Sequence, residues 1–279
     1  MASGRDWQET YDQKEPRNPK PYALALLWAV IMAPITLLLG AVQPFTNIPF
    51  QVLPLVMVGP FVAAALCKLS VPSWFPPDAP RATTALTKKA WIATALSSLV
   101  YVLTLVLLAT PGYTPFVVHG WPKPIAIAAV CIGFIFGSWC EEVGFRGIMY
   151  RALAAKLGPW PSVVINGVFF GLCHLQYFDV GVLPVILFVA SAVLLDVIMA
   201  ALWTGSWTHR ILVATAIHAV VNISIEATGT DLTQMYPYVV MLAATIVSAL
   251  CALALGRTFK IGDLLPAKQP RQPLNPPTI

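Results

Sequence analysis

The sequence has 279 residues, of which 58% are hydrophobic and only 10% are charged. Soluble domains carry about 25% charged residues, so this composition excludes a soluble globular protein and predicts a polytopic membrane protein. The net charge is +5, and most of the basic residues lie in short segments outside the apolar stretches. Positive charge in such segments indicates the orientation of a membrane protein and excludes a nucleic-acid-binding surface.

Eight apolar stretches follow one another along the chain, seven of them close to the 20 or so residues that a membrane helix needs and the fourth longer than a bilayer requires. They cover residues 22–42, 48–69, 90–109, 124–157, 160–178, 182–204, 208–225 and 236–255. We therefore predict an all-α, polytopic membrane protein built as a bundle of about eight transmembrane helices. The predicted domains are an N-terminal tail (1–21), a transmembrane helical domain (22–256) and a C-terminal tail (257–279).

Lysine and arginine are concentrated in alternate connections between these stretches. The basic residues are Arg5, Lys14, Arg17, Lys20, Lys68, Arg81, Lys88, Lys89, Arg151, Lys156, Arg210, Arg257, Lys260, Lys268 and Arg271. The intervening loops hold only Lys123. Because cytoplasmic loops carry an excess of positive charge, both termini are expected in the cytoplasm, in a multi-pass protein of a bacterial-type cell membrane.

The fourth stretch contains an acidic pair, Glu141 and Glu142, followed by Arg146. Ionisable groups inside a membrane are costly, so such a cluster indicates a functional site. Glu142 and Arg146 are four residues apart and can form an ion pair on one helix face. Glu141 points about 100° away around the helix, which leaves it as a free carboxylate able to take a proton from water.

Three further polar side chains are expected at the depth of Glu141. They are His174 on the fifth stretch, and His218 and Asn222, four residues apart, on the seventh. Glycines at four-residue steps mark the fourth and fifth stretches and predict close packing between them, which would bring Glu141 and His174 together. The glycines are Gly133, Gly137, Gly167 and Gly171. For Asn166 and Asp196, a structural hydrogen bond and a place in the cavity both remain open.

Three short motifs occur in order on successive helices: EEVGFR at 141–146, FGLCH at 170–174 and HAVVN at 218–222. They match the patterns EExxxR, FxxxH and HxxxN. In this order and in an eight-helix frame, the sequence resembles the CPBP family, also called Abi, which includes CAAX prenyl proteases type 2 of the Rce1 type and bacteriocin-processing enzymes. The resemblance is firm over about residues 124–226, the expected catalytic core.

The resemblance implies an intramembrane glutamate-type endopeptidase with an active-site cavity inside the membrane. Glu141 and His174 would activate water, and His218 and Asn222 would hold the oxyanion. Glu142 and Arg146 would support them. No cofactor is expected. The expected partners are the lipid bilayer and a peptide or protein substrate at the membrane, with lipidated substrates among the candidates, and no nucleic acid.

Two alternatives use the same residues. A zinc protease could take Glu141, His174 and His218 as ligands, although the sequence has no HExxH helix. A non-catalytic membrane scaffold or a proton-coupled transporter could also place glutamate and histidine inside the membrane. Transporters often contain an internal repeat, and none is evident between the two halves of this sequence.

Overall fold

The computed structural model describes residues 19–264. These residues form eight helices joined by loops and short 3₁₀ turns, without a β-strand. The helices are α1 (Pro21–Val42), α2 (Gly59–Ser70), α3 (Thr84–Leu108), α4 (Lys123–Leu157), α5 (Pro159–Leu172), α6 (Val182–Leu202), α7 (Trp207–Thr228) and α8 (Tyr236–Phe259). The predicted all-α membrane bundle is confirmed.

Two of these helices are shorter than the apolar stretches that contain them. Six of the described helices are long and apolar enough to cross a membrane, whereas α5 has 14 residues and α2 has 12. At 1.5 Å per residue, 14 residues cover about 21 Å of a hydrocarbon core that is about 30 Å thick. Pro49 and Pro54 lie where the second stretch would continue α2 towards its N-terminus. Proline removes a backbone donor, so the stretch begins as irregular chain.

Local sequence defines where most of the helices begin. Proline lies at the first or second position of α1, α2, α4, α5 and α8. It is favourable there because the first turn of a helix has no hydrogen bond for the missing N–H to lose. At the start of α3, the side chain of Thr83 accepts a hydrogen bond from the Leu86 amide at 3.3 Å. Six helices begin within one residue of the sequence prediction, whereas α2 begins eleven residues later and α3 six residues earlier than predicted.

Buried apolar side chains form two main clusters. One cluster is built mainly from α3, α6, α7 and α8, and the other mainly from α1, α2, α4 and α5. Helices α4 and α7 pack against each other between these clusters. The polar residues of the fourth and seventh stretches therefore meet in the interior of the bundle.

The glycines of α4 and α5 have other neighbours than predicted. A Cβ on Gly133 would collide with the Val52 carbonyl, in the segment that precedes α2. A Cβ on Gly167 would lie 2.6 Å from the Val193 Cα of α6. The predicted α4–α5 contact through these faces is wrong, because a row of small residues permits a close approach but does not specify the partner.

We expect Gly167→Ala to destabilise the protein by about 1–3 kcal/mol, because the added methyl group meets the backbone of α6 and neither helix can move aside without repacking. Thermal unfolding of the detergent-solubilised protein measures the effect. Val164→Ala, at a position 47% exposed on the same helix, is the matched control. Equal melting temperatures for the two variants would contradict this close approach.

The described chain continues beyond the predicted end of the transmembrane domain at residue 256. Helix α8 runs to Phe259, and Ile261 and Leu264 are buried. Residues 257–264, assigned from the sequence to the C-terminal tail, therefore pack on the bundle. The rest of the predicted tails, residues 1–18 and 265–279, lies outside the described residues.

Candidate active site

A cavity of about 280 Å³ lies inside the bundle, next to the contact between α4 and α7. Glu141, His174, His218 and Asn222 all line it. Apolar side chains from the segment that leads into α2, together with others from α1, α4 and α5, complete much of the wall. The structure therefore brings together the four residues that the sequence assigned to catalysis, although they come from three separate parts of the chain.

Glu141 is almost buried and faces α7. Its side chain lies on the cavity wall, and Oε2 is 3.6 Å from Nε2 of His218. This separation is longer than a hydrogen bond. The sequence left Glu141 without a partner on its own helix, and the structure gives it a close imidazole neighbour from another helix. A carboxylate and an imidazole thus face one small space.

His174 does not lie on a helix face, contrary to the prediction. Helix α5 ends at Leu172, and His174 immediately precedes the 3₁₀ helix Leu175–Asp179. The backbone leaves α-helical geometry here (φ −85°, ψ 65°), and Nδ1 lies 3.0 Å from the Phe170 carbonyl oxygen. Because a carbonyl only accepts, Nδ1 is the donor, and Nε2 is the acceptor nitrogen of the neutral ring.

Glu142 and Arg146 form the predicted ion pair, with Oε1 and Nη1 2.8 Å apart and both side chains fully buried. The structure extends the pair into a network across four helices. Arg146 Nε donates to Asp196 on α6 at 2.7 Å, and Asn166 on α5 donates to the other oxygen of Asp196 at 2.7 Å. Asp196 and Asn166, left open from the sequence, are structural hydrogen-bond partners and do not line the cavity.

The same network holds the ring of His218. Nδ1 of His218 lies 2.7 Å from Oε1 of Glu142, so Nε2 is the nitrogen on the side of Glu141. Arg146 belongs to an irregular π-helical turn, Phe145–Tyr150, that interrupts α4 three residues after Glu142. Such turns widen a helix locally and occur often at functional sites. The two glutamates therefore have different surroundings: Glu141 faces the cavity, and Glu142 faces the protein interior.

The contacts of Phe170 show what the aromatic residue of the FxxxH pattern, four positions before His174, does in the site. The centre of its ring is 4.8 Å from the ring of His174 and 5.5 Å from that of His218. The guanidinium of Arg146 lies 5.0 Å from the same ring. One aromatic side chain thus separates and orients both imidazoles, and its carbonyl oxygen accepts the hydrogen bond from His174.

Asn222 has a partner that sequence reasoning missed. Its Nδ2 donates to the hydroxyl of Ser138 at 3.2 Å, and Ser138 is fully buried on α4. The signal was present in the spacing, because Ser138 lies three residues before Glu141 and so on nearly the same helix face. An amide nitrogen carries two protons, so Asn222 keeps one for another acceptor.

Glu226 is a second residue that the sequence analysis missed, on the cavity face of α7 four residues after Asn222. Its carboxylate accepts hydrogen bonds from the Tyr113 hydroxyl at 2.8 Å and from the Phe116 amide at 2.7 Å. Burial, together with the hydrogen bond to Glu226, raises the pKa of Tyr113, so the phenol remains a donor. These bonds tie the α3–α4 loop to the end of α7 at the cavity.

No group of three or more His, Cys, Asp or Glu side chains within residues 19–264 is arranged to hold a metal ion. The three ligands of the zinc alternative, Glu141, His174 and His218, lie on the cavity wall without forming such a group. Independence from metal stays a prediction.

Fold and site together define a multi-pass membrane protein with a polar cavity built around one carboxylate, two imidazoles and one amide. Residues 121–224 match the family model described as Type II CAAX prenyl endopeptidase Rce1-like. These residues therefore match the Rce1-like family of membrane endopeptidases, and the resemblance to the CPBP family is confirmed over this part of the chain. No curated protein matches the chain.

Proposed function

We propose that the protein is a glutamate-type intramembrane endopeptidase in which Glu141 and His174 activate water while His218 and Asn222 stabilise the oxyanion. One observation carries this proposal: these four side chains line a single cavity, whereas Glu142 and Arg146 are fully buried behind it. The family match supports membrane endopeptidase activity, and the geometry supports these particular roles.

In the proposed reaction, Glu141 accepts a proton from water as the water oxygen bonds to the scissile carbonyl carbon. His174 is suited to hold that water, because Nδ1 donates to the backbone and Nε2 is left as an acceptor. The carbonyl electrons move onto oxygen. When the tetrahedral intermediate collapses, the C–N bond breaks and Glu141 returns the proton to the leaving nitrogen.

The developing oxyanion needs donors that are already in place. Asn222 offers the amide proton that Ser138 does not use. His218 is held by the contact of Nδ1 with Glu142 and offers Nε2–H as the donor in this scheme. Glu142, Arg146 and Asp196 act through His218 in this scheme, as positioning residues that do not touch the substrate.

The proposed substrate is a peptide or protein at the membrane, and lipidated substrates are included. We also place the protein in a cell membrane of bacterial type, with both termini on the cytoplasmic side, as the distribution of lysine and arginine favours.

The proposal is tested by comparing peptide termini in membranes of cells that produce the wild-type protein or the double variant Glu141→Gln/His174→Ala. We expect a set of new termini that depends on the wild-type protein, and purified protein in liposomes should generate the same termini from synthetic peptides. Identical termini in both cells, together with proton flux through liposomes that depends on Glu141, would overturn the proposal in favour of a transporter.

Metal removal separates this mechanism from the zinc alternative. We expect peptidase activity of the purified protein to be unchanged after treatment with 1,10-phenanthroline, because the reaction uses a carboxylate base and protein donors. A zinc metalloprotease with known sensitivity, assayed in the same detergent, is the control. Loss of activity that returns on addition of zinc, with stoichiometric zinc in the purified protein, would contradict the metal-free mechanism.

A further inference from the structure

The bundle has two distinct ends. At the first, called here the cavity end, the α3–α4 loop meets the α7–α8 loop, and the Gly112 amide donates to the Gly229 carbonyl at 2.6 Å. At the other, called the basic end, the α2–α3, α6–α7 and C-terminal segments meet. There the Gly262 amide donates to the Trp203 carbonyl at 3.0 Å, and Arg151 donates to the Pro76 carbonyl at 2.5 Å.

The cavity reaches the cavity end. His218, Asn222 and Glu226 follow one another along α7 at four-residue steps of about 6 Å each, and all three line the cavity. Glu226 is two residues from the end of α7 at Thr228. Tyr113 of the α3–α4 loop and Gln176 of the α5–α6 connection also line the cavity. The path to His218 and Glu141 therefore starts at this end.

The basic end is closed by packed aromatic rings. The ring centres of Tyr150 and Trp203 are 4.9 Å apart, and Trp207 lies beside them. The Arg210 guanidinium lies 4.9 Å from the Trp207 ring and forms an ion pair with Asp263. Among the described residues, none of the cavity-lining side chains comes from the loops of this end.

Charge separates the two ends sharply. Within residues 19–264, the basic end carries ten lysines and arginines with two aspartates, and the cavity end carries one lysine with three acidic residues. The basic end has Lys20, Lys68, Arg81, Lys88, Lys89, Arg151, Lys156, Arg210, Arg257 and Lys260, with Asp78 and Asp263. The cavity end has Lys123, with Asp179, Glu226 and Asp231. The face rich in lysine and arginine is the cytoplasmic face of a membrane protein.

We infer that the cavity opens to the extracytoplasmic side of the membrane, so that the enzyme cleaves peptide segments presented on that side. This inference rests on the proposed function for its substrate class and on the charge distribution for its direction. It holds whether or not the short helices α2 and α5 cross the membrane, because the two ends are defined by contacts and not by counting spans. A peptide confined to the cytoplasm reaches only the closed end.

Thiol labelling of sealed cells tests the direction. Cys173 is exposed and lines the cavity, whereas Cys67 and Cys140 are buried and Cys131 and Cys251 lie within membrane helices. The parent for labelling is Cys173→Ser, which measures the background from the other cysteines. Each test variant adds one cysteine to this Cys173→Ser protein: Thr114→Cys in the α3–α4 loop or Ala85→Cys at the start of α3. Both positions are exposed.

With a membrane-impermeant maleimide, we expect Thr114→Cys and the native Cys173 to react in intact cells. Ala85→Cys should react only after the cells are permeabilised, and that reaction also shows that the introduced thiol is accessible to the reagent. Labelling of Ala85→Cys but not Thr114→Cys in intact cells would overturn the inference, as would equal labelling of both. Labelling needs no catalysis, so a variant that also carries Glu141→Gln should give the same pattern, and failure of the proposed function would show separately as missing cleavage.

Discussion

Replacing Glu141 by Gln should abolish peptide cleavage and leave the protein folded. The substitution keeps the shape of the side chain but removes the proposed proton acceptor, and general base catalysis typically contributes about 10²–10⁴-fold to a rate. Glu141 lies on the cavity wall, and its separation of 3.6 Å from Nε2 of His218 is longer than a hydrogen bond, so the change removes no hydrogen bond to that ring. The measurement is cleavage of a synthetic substrate by purified protein, with thermal unfolding of the same sample.

Glu142→Gln is the matched control, because it changes the adjacent residue in the same way. Here the substitution removes a fully buried carboxylate that bonds both Arg146 and His218. We expect a lower melting temperature in addition to reduced activity. If Glu141→Gln remained active while Glu142→Gln were stable and inactive, the roles of the two glutamates would be reversed and the mechanism proposed above would fail.

Arg146→Ala should be the most destabilising single substitution in the site. Arg146 is the cation between two buried carboxylates, Glu142 and Asp196, and all three side chains are at most 2% exposed. Removing one partner of a buried ion pair leaves an uncompensated charge and costs about 3–5 kcal/mol. Unfolding of the detergent-solubilised protein measures the loss.

Two further variants separate lost charge balance from lost packing. Arg257→Ala removes an exposed arginine and should leave the melting temperature near that of the wild type. Adding Asp196→Asn to Arg146→Ala removes one of the stranded charges, so it should recover part of the stability. A melting temperature for Arg146→Ala equal to that of Arg257→Ala would show that the buried network is not important for stability.

The helices and the site motifs were accessible from the sequence, because both depend on short-range patterns. Apolar length identified α1, α3, α4 and α6–α8, and helical spacing paired Glu142 with Arg146. Spacing also separated Glu141 from that pair. These inferences need only the geometry of one helix, which is nearly independent of its neighbours.

What the sequence did not provide depends on contacts between helices. The glycine faces predicted close packing correctly but gave the wrong partners, since small residues fit many surfaces. His174 was placed on a helix because its surroundings are apolar, and hydrophobicity does not reveal where the backbone turns into a 3₁₀ helix. Asp196 could have been paired with Arg146 by asking which cation offsets an acid in an otherwise apolar helix. Its bond to Asn166 requires the orientation of α5 against α6, which no single-helix pattern contains.

The buried network of Glu142, Arg146 and Asp196 has a consequence for the membrane itself. Hydrolysis needs water at the depth of Glu141, yet a continuous aqueous path across the bundle would let ions leak down their gradient. Behind the cavity, the charged side chains are bonded to one another, and the rings of Tyr150 and Trp203 fill the space beyond them. The cavity is thus closed at its inner end, so the protein can keep water at a scissile bond while the membrane remains impermeable to ions.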